Sequence, residues 1–358
     1  MERVKITMLG ISGAGKSSFF SGVYHSLITG TVKAKDNSTV VSLCGVDDDG
    51  SVNRLTALST AQVMEQYKID NIMGNREGTW DISEFNFMMD IMDSRFATYQ
   101  IPIHIFDYRG GLLQNVNNED DKAEAEILMT KVIDSHVLLI MADAIQLTNN
   151  ANNAIKRKEK TGADRINPVI KSILPLMKKE NVTVLLLLTK SDSERIDLSY
   201  KKDDYKKMKE LARETFDTVF AYSEMLKRDK NWNFGIVPIT AVGEGNVITR
   251  FIEGGSRFVC ELKKEATPKQ KNVDNVIIYS VYQALKNNMS HLEREIDKCT
   301  EILEQCKKFS FDFRHRKQLA ERKEEERRKL KQENELCCKS VMALNEGFGS
   351  EFSSIKCS

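Results

Sequence analysis

Gly10-Ile11-Ser12-Gly13-Ala14-Gly15-Lys16-Ser17 follows a short apolar run, Val4 to Leu9, and leads into an amphipathic stretch, Lys16 to Leu27. The eight residues match G-x-x-x-x-G-K-[ST] in the strand, loop, helix setting that the pattern requires. Each identity has a physical reason. Glycines let consecutive backbone N–H groups curl around phosphates, and the dipole of the following helix adds positive potential. Lys16 reaches the β and γ phosphates, and Ser17 offers its hydroxyl to Mg²⁺. From average composition, a chance match somewhere in 358 residues is on the order of one in a hundred. The stretch therefore predicts a nucleoside triphosphate site, with Gly10, Ser12, Gly13, Ala14, Gly15, Lys16, Ser17 and Ser18 around the phosphates.

Working outward, short apolar runs alternate with amphipathic stretches up to about residue 265, the pattern of a parallel sheet covered by helices. Strands are expected at Val4 to Leu9, Phe85 to Ile91, Gln100 to Phe106, His136 to Met141, Thr183 to Leu188 and Phe234 to Ile239. Helices are expected at Lys16 to Leu27, Pro168 to Lys179 and Asp203 to Lys227. The fold class is α/β, a P-loop NTPase with a mostly parallel six-stranded sheet. Two stretches read as inserts: the polar 29–78, of a length that signals function or disorder, and the asparagine-rich, basic 148–165, read as a solvated excursion.

Beyond residue 272 the period changes. Ile278, Leu285, Leu292, Cys299 and Cys306 recur every seven residues, with Tyr282, Met289, Ile296 and Leu303 four after each of the first four. This is the seam of a C-terminal α-helical, coiled-coil-like extension over 272–345. The seam serves either a homodimer through 278–306 or packing within the chain. Phe309 to Phe313 interrupts the helix. Arg314 to Glu335 is almost all charge and reads as a solvated helix with Glu324–Arg328 and Glu325–Lys329 pairs, and 346–358 is expected to be disordered.

The 53 Lys+Arg and 52 Asp+Glu give a formal net charge of +1, so there is no global field for nucleic acid and none is predicted as a partner. The longest apolar run, Val182 to Leu188, is far short of the ~20 residues that span a bilayer, so no transmembrane segment is expected. Seven cysteines, with no Cys-x-x-Cys pair, read as reduced thiols in a cytoplasmic protein.

Three further motifs select the base and the metal. Asp107-Tyr108-Arg109-Gly110 ends the third strand as D-x-x-G, in which Asp107 would hold Mg²⁺ through water and the Gly110 N–H would meet the γ phosphate. Thr189-Lys190-Ser191-Asp192 ends the fifth strand as [NT]-K-x-D, where a fixed carboxylate accepts two hydrogen bonds from guanine. Adenine has no donors there, and losing two charge-assisted bonds at ~1.5–3 kcal/mol each costs a hundredfold or more. Thr240, Ala241 and Val242 follow the sixth strand in a small-residue loop that can present an N–H to the guanine carbonyl.

On these motifs the chain, over 1–265, resembles the Ras-like group of the TRAFAC class of P-loop GTPases. The segments MLGISGAGKSSFFSGVYHSL, EGTWDIS and FDYRGGLL further resemble bacterial double-GTPase proteins linked to conflict and defence systems. The resemblance implies GTP/GDP and Mg²⁺ as cofactors, and a switch threonine, Thr79, with Ser83 as the alternative hydroxyl, that joins Ser17 and Asp107 at the metal. It implies slow hydrolysis, because Gly111 stands where the water-positioning glutamine is expected and Gln114 comes three residues too late. Arg76, three residues before Thr79, occupies the offset at which heterotrimeric G-protein α subunits carry their own arginine finger; Arg109 is a second candidate. Arg76, Thr79 and Gly110 are thus the catalytic candidates of a GTP-binding switch, whose effector the sequence does not identify. Two rivals are a non-hydrolysing GTP-binding scaffold acting through its coiled coil, and an ATP-dependent P-loop enzyme.

Overall fold

The computed structural model describes residues 1–28, 30–47, 83–108, 119–177, 181–222, 232–243, 246–251, 258–262, 269–308, 313–353 and 355. The strands are β1 Val4–Leu9, β2 Val32–Lys33, β3 Val40–Gly45, β4 Ser83–Met92, β5 Thr98–Asp107, β6 Val137–Asp143, β7 Thr183–Thr189, β8 Asn233–Pro238, β9 Val247–Phe251 and β10 Phe258–Leu262. The helices are α1 Lys16–Val23, α2 Glu119–Ile133, α3 Ala144–Asn149, α4 Ala154–Thr161, α5 Ala163–Ile173, α6 Leu198–Thr215, α7 Val273–Lys308 and α8 Phe313–Phe352.

Eight strands form one mixed sheet in the order β2-β3-β4-β5-β1-β6-β7-β8, in place of the six expected. The five strands from β5 to β8 pair in parallel, while β2, β3, β4 and β5 pair antiparallel. Burial follows this division. All seven residues of β7 are buried, as in a strand covered on both faces. β5 alternates buried and more exposed positions for most of its length, as an antiparallel strand with one wetter face does. The extra strands come from 29–78, where the alternation of Val41, Leu43 and Gly45 inward makes β3 a strand rather than part of a polar loop. β9 and β10 form a separate antiparallel pair.

Two apolar layers flank the sheet. On one face α1, α7 and the end of α8 meet Ile6, Met8, Phe87 and Ile105. On the other, α2, α5 and α6 meet Leu138, Ile140 and Leu186. The stretch 148–165 is largely exposed, with Ile155 85% exposed, yet it also packs onto this second layer. It contains α4, its Arg157 and Thr161 are buried, and Ala163 opens α5. The Arg157 guanidinium donates to Thr215 Oγ1 at 2.8 Å, which turns one member of the basic cluster inward.

Helix boundaries differ where local geometry intervenes. α5 begins five residues before Pro168 and runs through it. α6 begins at Leu198, capped by Asp197, and is broken where Asp203, Asp204 and Tyr205 hold φ of 50°, 53° and 62°. The helix expected from Asp203 therefore starts inside this break. After α1, Tyr24–Ile28 continues as a π-helical turn.

The heptad seam is covered from within the chain, the second of the two arrangements expected for it. α7 and α8 pack along each other, and Ile278, Leu285, Leu292 and Cys299 are each no more than 4% exposed. The first half of α7 lies on the sheet and is buried continuously from Val276 to Leu285. The charged part of α8 is solvated, with ion pairs from Glu324 to Arg327 and from Glu325 to both Arg328 and Lys329. Glu324 pairs three residues on, not four.

The expected disorder of 346–358 is also corrected over 346–353 and at Ile355. α8 continues to Phe352, whose ring packs 5.3 Å from Tyr279 and 4.8 Å from Tyr282. Ile355 is 1% exposed. Room for it comes from Gly235, where a Cβ would lie 2.5 Å from the Ile355 carbonyl oxygen.

Candidate functional site

The loops after parallel strands β1, β7 and β8 gather at the carboxyl edge of the sheet, where β5 also ends, the edge of an open α/β sheet where ligands enter. Gly10 to Gly15 form the first, after β1. Gly13 and Gly15 take φ of 80° and 94°, a region open to glycine at little cost. The loop is tight: a Cβ on Gly15 would sit 3.0 Å from that of Thr189, and one on Gly10 would sit 3.2 Å from those of Ala14 and Met141. Lys16, Ser17 and Ser18 form the first turn of α1.

Lys16 is 5% exposed. Its ammonium donates to the Gly10 carbonyl at 2.8 Å. Burial pushes its pKa down, and the nearby Asp107 carboxylate pulls it back up. A buried cation against a single carboxylate is a site at which an arriving polyanion offsets desolvation.

Asp107 is the last residue of β5 and 1% exposed. The β4–β5 register sets Ser83 directly opposite it, so the start of β4 and the end of β5 lie at the same end of the sheet. Arg76 and Thr79 precede β4, and Arg109, Gly110, Gly111 and Gln114 follow β5. All six lie outside the described residues.

The TKSD loop is tied by side chains to its neighbours on both sides. Thr189 Oγ1 donates to the Ala14 carbonyl at 2.7 Å. Lys190, at φ 57°, donates from Nζ to the Gly13 carbonyl at 3.1 Å and to Asp143 Oδ2 at 2.6 Å. Ser191 Oγ donates to the Ile239 carbonyl at 3.0 Å. The Asp192 carbonyl accepts from Lys201 Nζ at 2.9 Å, and Asp192 itself is half-buried. Thr240 is held by a two-way backbone bridge to Lys271, ahead of Ala241 and Val242.

Two contributors belong to none of these motifs. Asp143 ends β6, caps α3 by accepting from the N–H groups of Ile145 and Gln146, and anchors Lys190. An acid directly after a buried strand is the signal of such a cap. Gly162, at φ 78° between α4 and α5, leaves room for Ile11; a Cβ there would lie 2.4 Å from Ile11 Cγ2. No sequence motif reports that contact.

A separate groove of about 330 Å³ lies near the start of β1, lined by Arg3, Lys5, Glu84, His104 and Lys131 among others. Its charges are matched locally: Glu84 accepts from Lys131 and pairs with His104, and Lys5 pairs with Asp134.

No family model and no curated protein matches the chain. Among solved structures it is similar to one described as the signal recognition particle receptor SRb-GTP/SRX complex from Chaetomium thermophilum. The identity is 12% and the TM-score 0.37, with 68% of this chain and 94% of that chain covered. A likeness this distant assigns nothing to the present chain. The mixed α/β sheet and the loop between β1 and α1 are consistent with a P-loop NTPase-like fold.

Proposed function

We infer that the chain is a guanine-nucleotide-binding protein of the Ras-like kind, a Mg²⁺-dependent switch with slow GTP hydrolysis. The observation that carries this reading is the pair of bonds from Thr189 to Ala14 and from Lys190 to Gly13. They join the loop whose Asp192 would read the base to the loop that would hold the phosphates. In this reading Gly13 to Ser18 hold the phosphate chain, Lys16 neutralises it, and Thr240 to Val242 close over the guanine carbonyl.

The oxygen donors expected at the metal are hard ligands suited to Mg²⁺. Ser17 stands on the first turn of α1 and Asp107 at the end of β5, whose charge reaches Lys16. The ion when bound would neutralise charge on the phosphate oxygens. Thr79 and Gly110 would contact the γ phosphate, so that GTP and GDP favour different arrangements of 74–83 and 107–116. A ligand shifts such an equilibrium only by its differential affinity for the two states.

Lys16→Ala is the test of the site, read by titration of nucleotide-free protein with GDP and Mg²⁺. Binding should fall beyond detection, and retained affinity would refute the assignment. For hydrolysis, single-turnover phosphate release at saturating GTP should be slow and should drop further with Arg76→Ala; an unchanged rate removes Arg76 as the finger. Bound GTP that stays intact over hours would select the scaffold reading, which Gly111 in place of glutamine favours.

A further inference from the structure

The residue directly after Asp107 makes contacts that no motif assigns. Tyr108 is fully buried, with 0% exposure. Its hydroxyl accepts from the Gly10 N–H at 3.0 Å and donates to the Gly10 carbonyl at 3.2 Å. Gly10 is the first residue of the phosphate loop. The backbone ladder between β1 and β5 ends at Thr7↔Phe106, so the phenol takes over as partner of both Gly10 backbone groups beyond the end of that ladder. The same Gly10 carbonyl accepts the Lys16 ammonium, which lies 5.2 Å from the centre of the Tyr108 ring.

One side chain therefore touches the start of the loop and the cation on it, while its own backbone continues Asp107 toward Gly110. Burial raises the phenol's pKa far above its ordinary value, so it remains a neutral donor and acceptor. A phenylalanine would fill the same space and lack both bonds.

We propose that Tyr108 is a positioning residue that fixes Gly10, and through its carbonyl Lys16, in the pose that receives the phosphate chain. It thereby couples the D-x-x-G segment to the phosphate loop. This rests on the nucleotide-site reading above. The hydroxyl acts on the phosphates and not on the base, so its loss falls on the interactions that distinguish GDP from GMP.

The experiment measures Kd for GDP and, by competition, for GMP, on the full chain with Mg²⁺, for wild type and Tyr108→Phe. The expected result is a roughly tenfold loss for GDP, the range set by one or two hydrogen bonds, with GMP changed less than twofold. A merely structural tyrosine would lower thermal stability and leave the GDP-to-GMP ratio intact, and that outcome overturns the proposal. If Tyr108→Phe does not fold, 3-fluorotyrosine placed at position 108 serves instead. Its ¹⁹F resonance should move when GDP and Mg²⁺ bind, and a stationary resonance overturns the proposal. Wild type that binds no guanine nucleotide refutes the underlying site as well, whereas wild-type binding with an unchanged ratio refutes Tyr108 alone.

Discussion

Gly15 shows how narrow the tolerances around the loop are. Its φ of 94° disfavours any side chain, and the nearest obstacle to a Cβ is Thr189, which itself holds the loop through Ala14. Gly15→Ala is expected to destabilise by about 1–3 kcal/mol and to weaken nucleotide binding. Chemical denaturation and titration together check both effects. Asp93 offers a test remote from the site. It lies in the turn between β4 and β5, where Arg95, the N–H of Ala97 and the Tyr99 hydroxyl donate to its carboxylate. These bonds, that from Arg95 foremost, hold its pKa at about 2, against an ordinary 3.8. A depressed carboxylate pKa contributes stability above pH 3.8 that is lost as pH falls toward 2. Urea midpoints measured from pH 5 to 2 should drop through that window, and Asp93→Asn should flatten the fall; equal slopes would contradict the pairing.

The elements divide by how their signals arise. β1, β6, β7 and β8 are legible because apolar runs covered on both faces read as such in sequence, and the loops after them carry motifs of fixed spacing. β3 is hidden because Val40 to Gly45 is short and sits in a polar surround. α4 is hidden because its buried arginine carries the same letter as an exposed one. Only the fold turns Arg157 toward Thr215. The ties of Asp143 and Gly162 to the loops are likewise invisible, since each depends on a neighbour distant in sequence. Gly162→Ala tests the second of these. It must displace Ile11 as well as strain the αL cap, and nucleotide affinity should fall while the isolated effect of the cap costs about 1 kcal/mol. Unchanged affinity would show that the elbow between α4 and α5 does not support the loop.

For the whole molecule, a regular heptad repeat reads alike whether its partner is another chain or the chain's own next helix. Here the partner is α8, and the sheet takes the first half of α7. Sedimentation should therefore give a mass near the 40.8 kDa of one chain, and a dimer at every concentration would contradict intrachain coverage of the seam. The same packing makes the C-terminus structural. Removing 346–358 strips Phe348, Phe352 and Ile355 from the core, roughly 5–9 kcal/mol at 1.5–3 kcal/mol each. That is comparable with the whole stability of a typical domain, so the truncated chain is expected to unfold at ambient temperature by circular dichroism. The ties of the TKSD loop to the phosphate loop then make base recognition the decisive property. The direct measurement is competition of GTP and xanthosine triphosphate for wild type and Asp192→Asn. The expected result is that wild type prefers GTP by a hundredfold or more and the variant prefers xanthosine triphosphate. A variant that retains the wild-type preference, or a wild type that binds ATP as well as GTP, would contradict a guanine site.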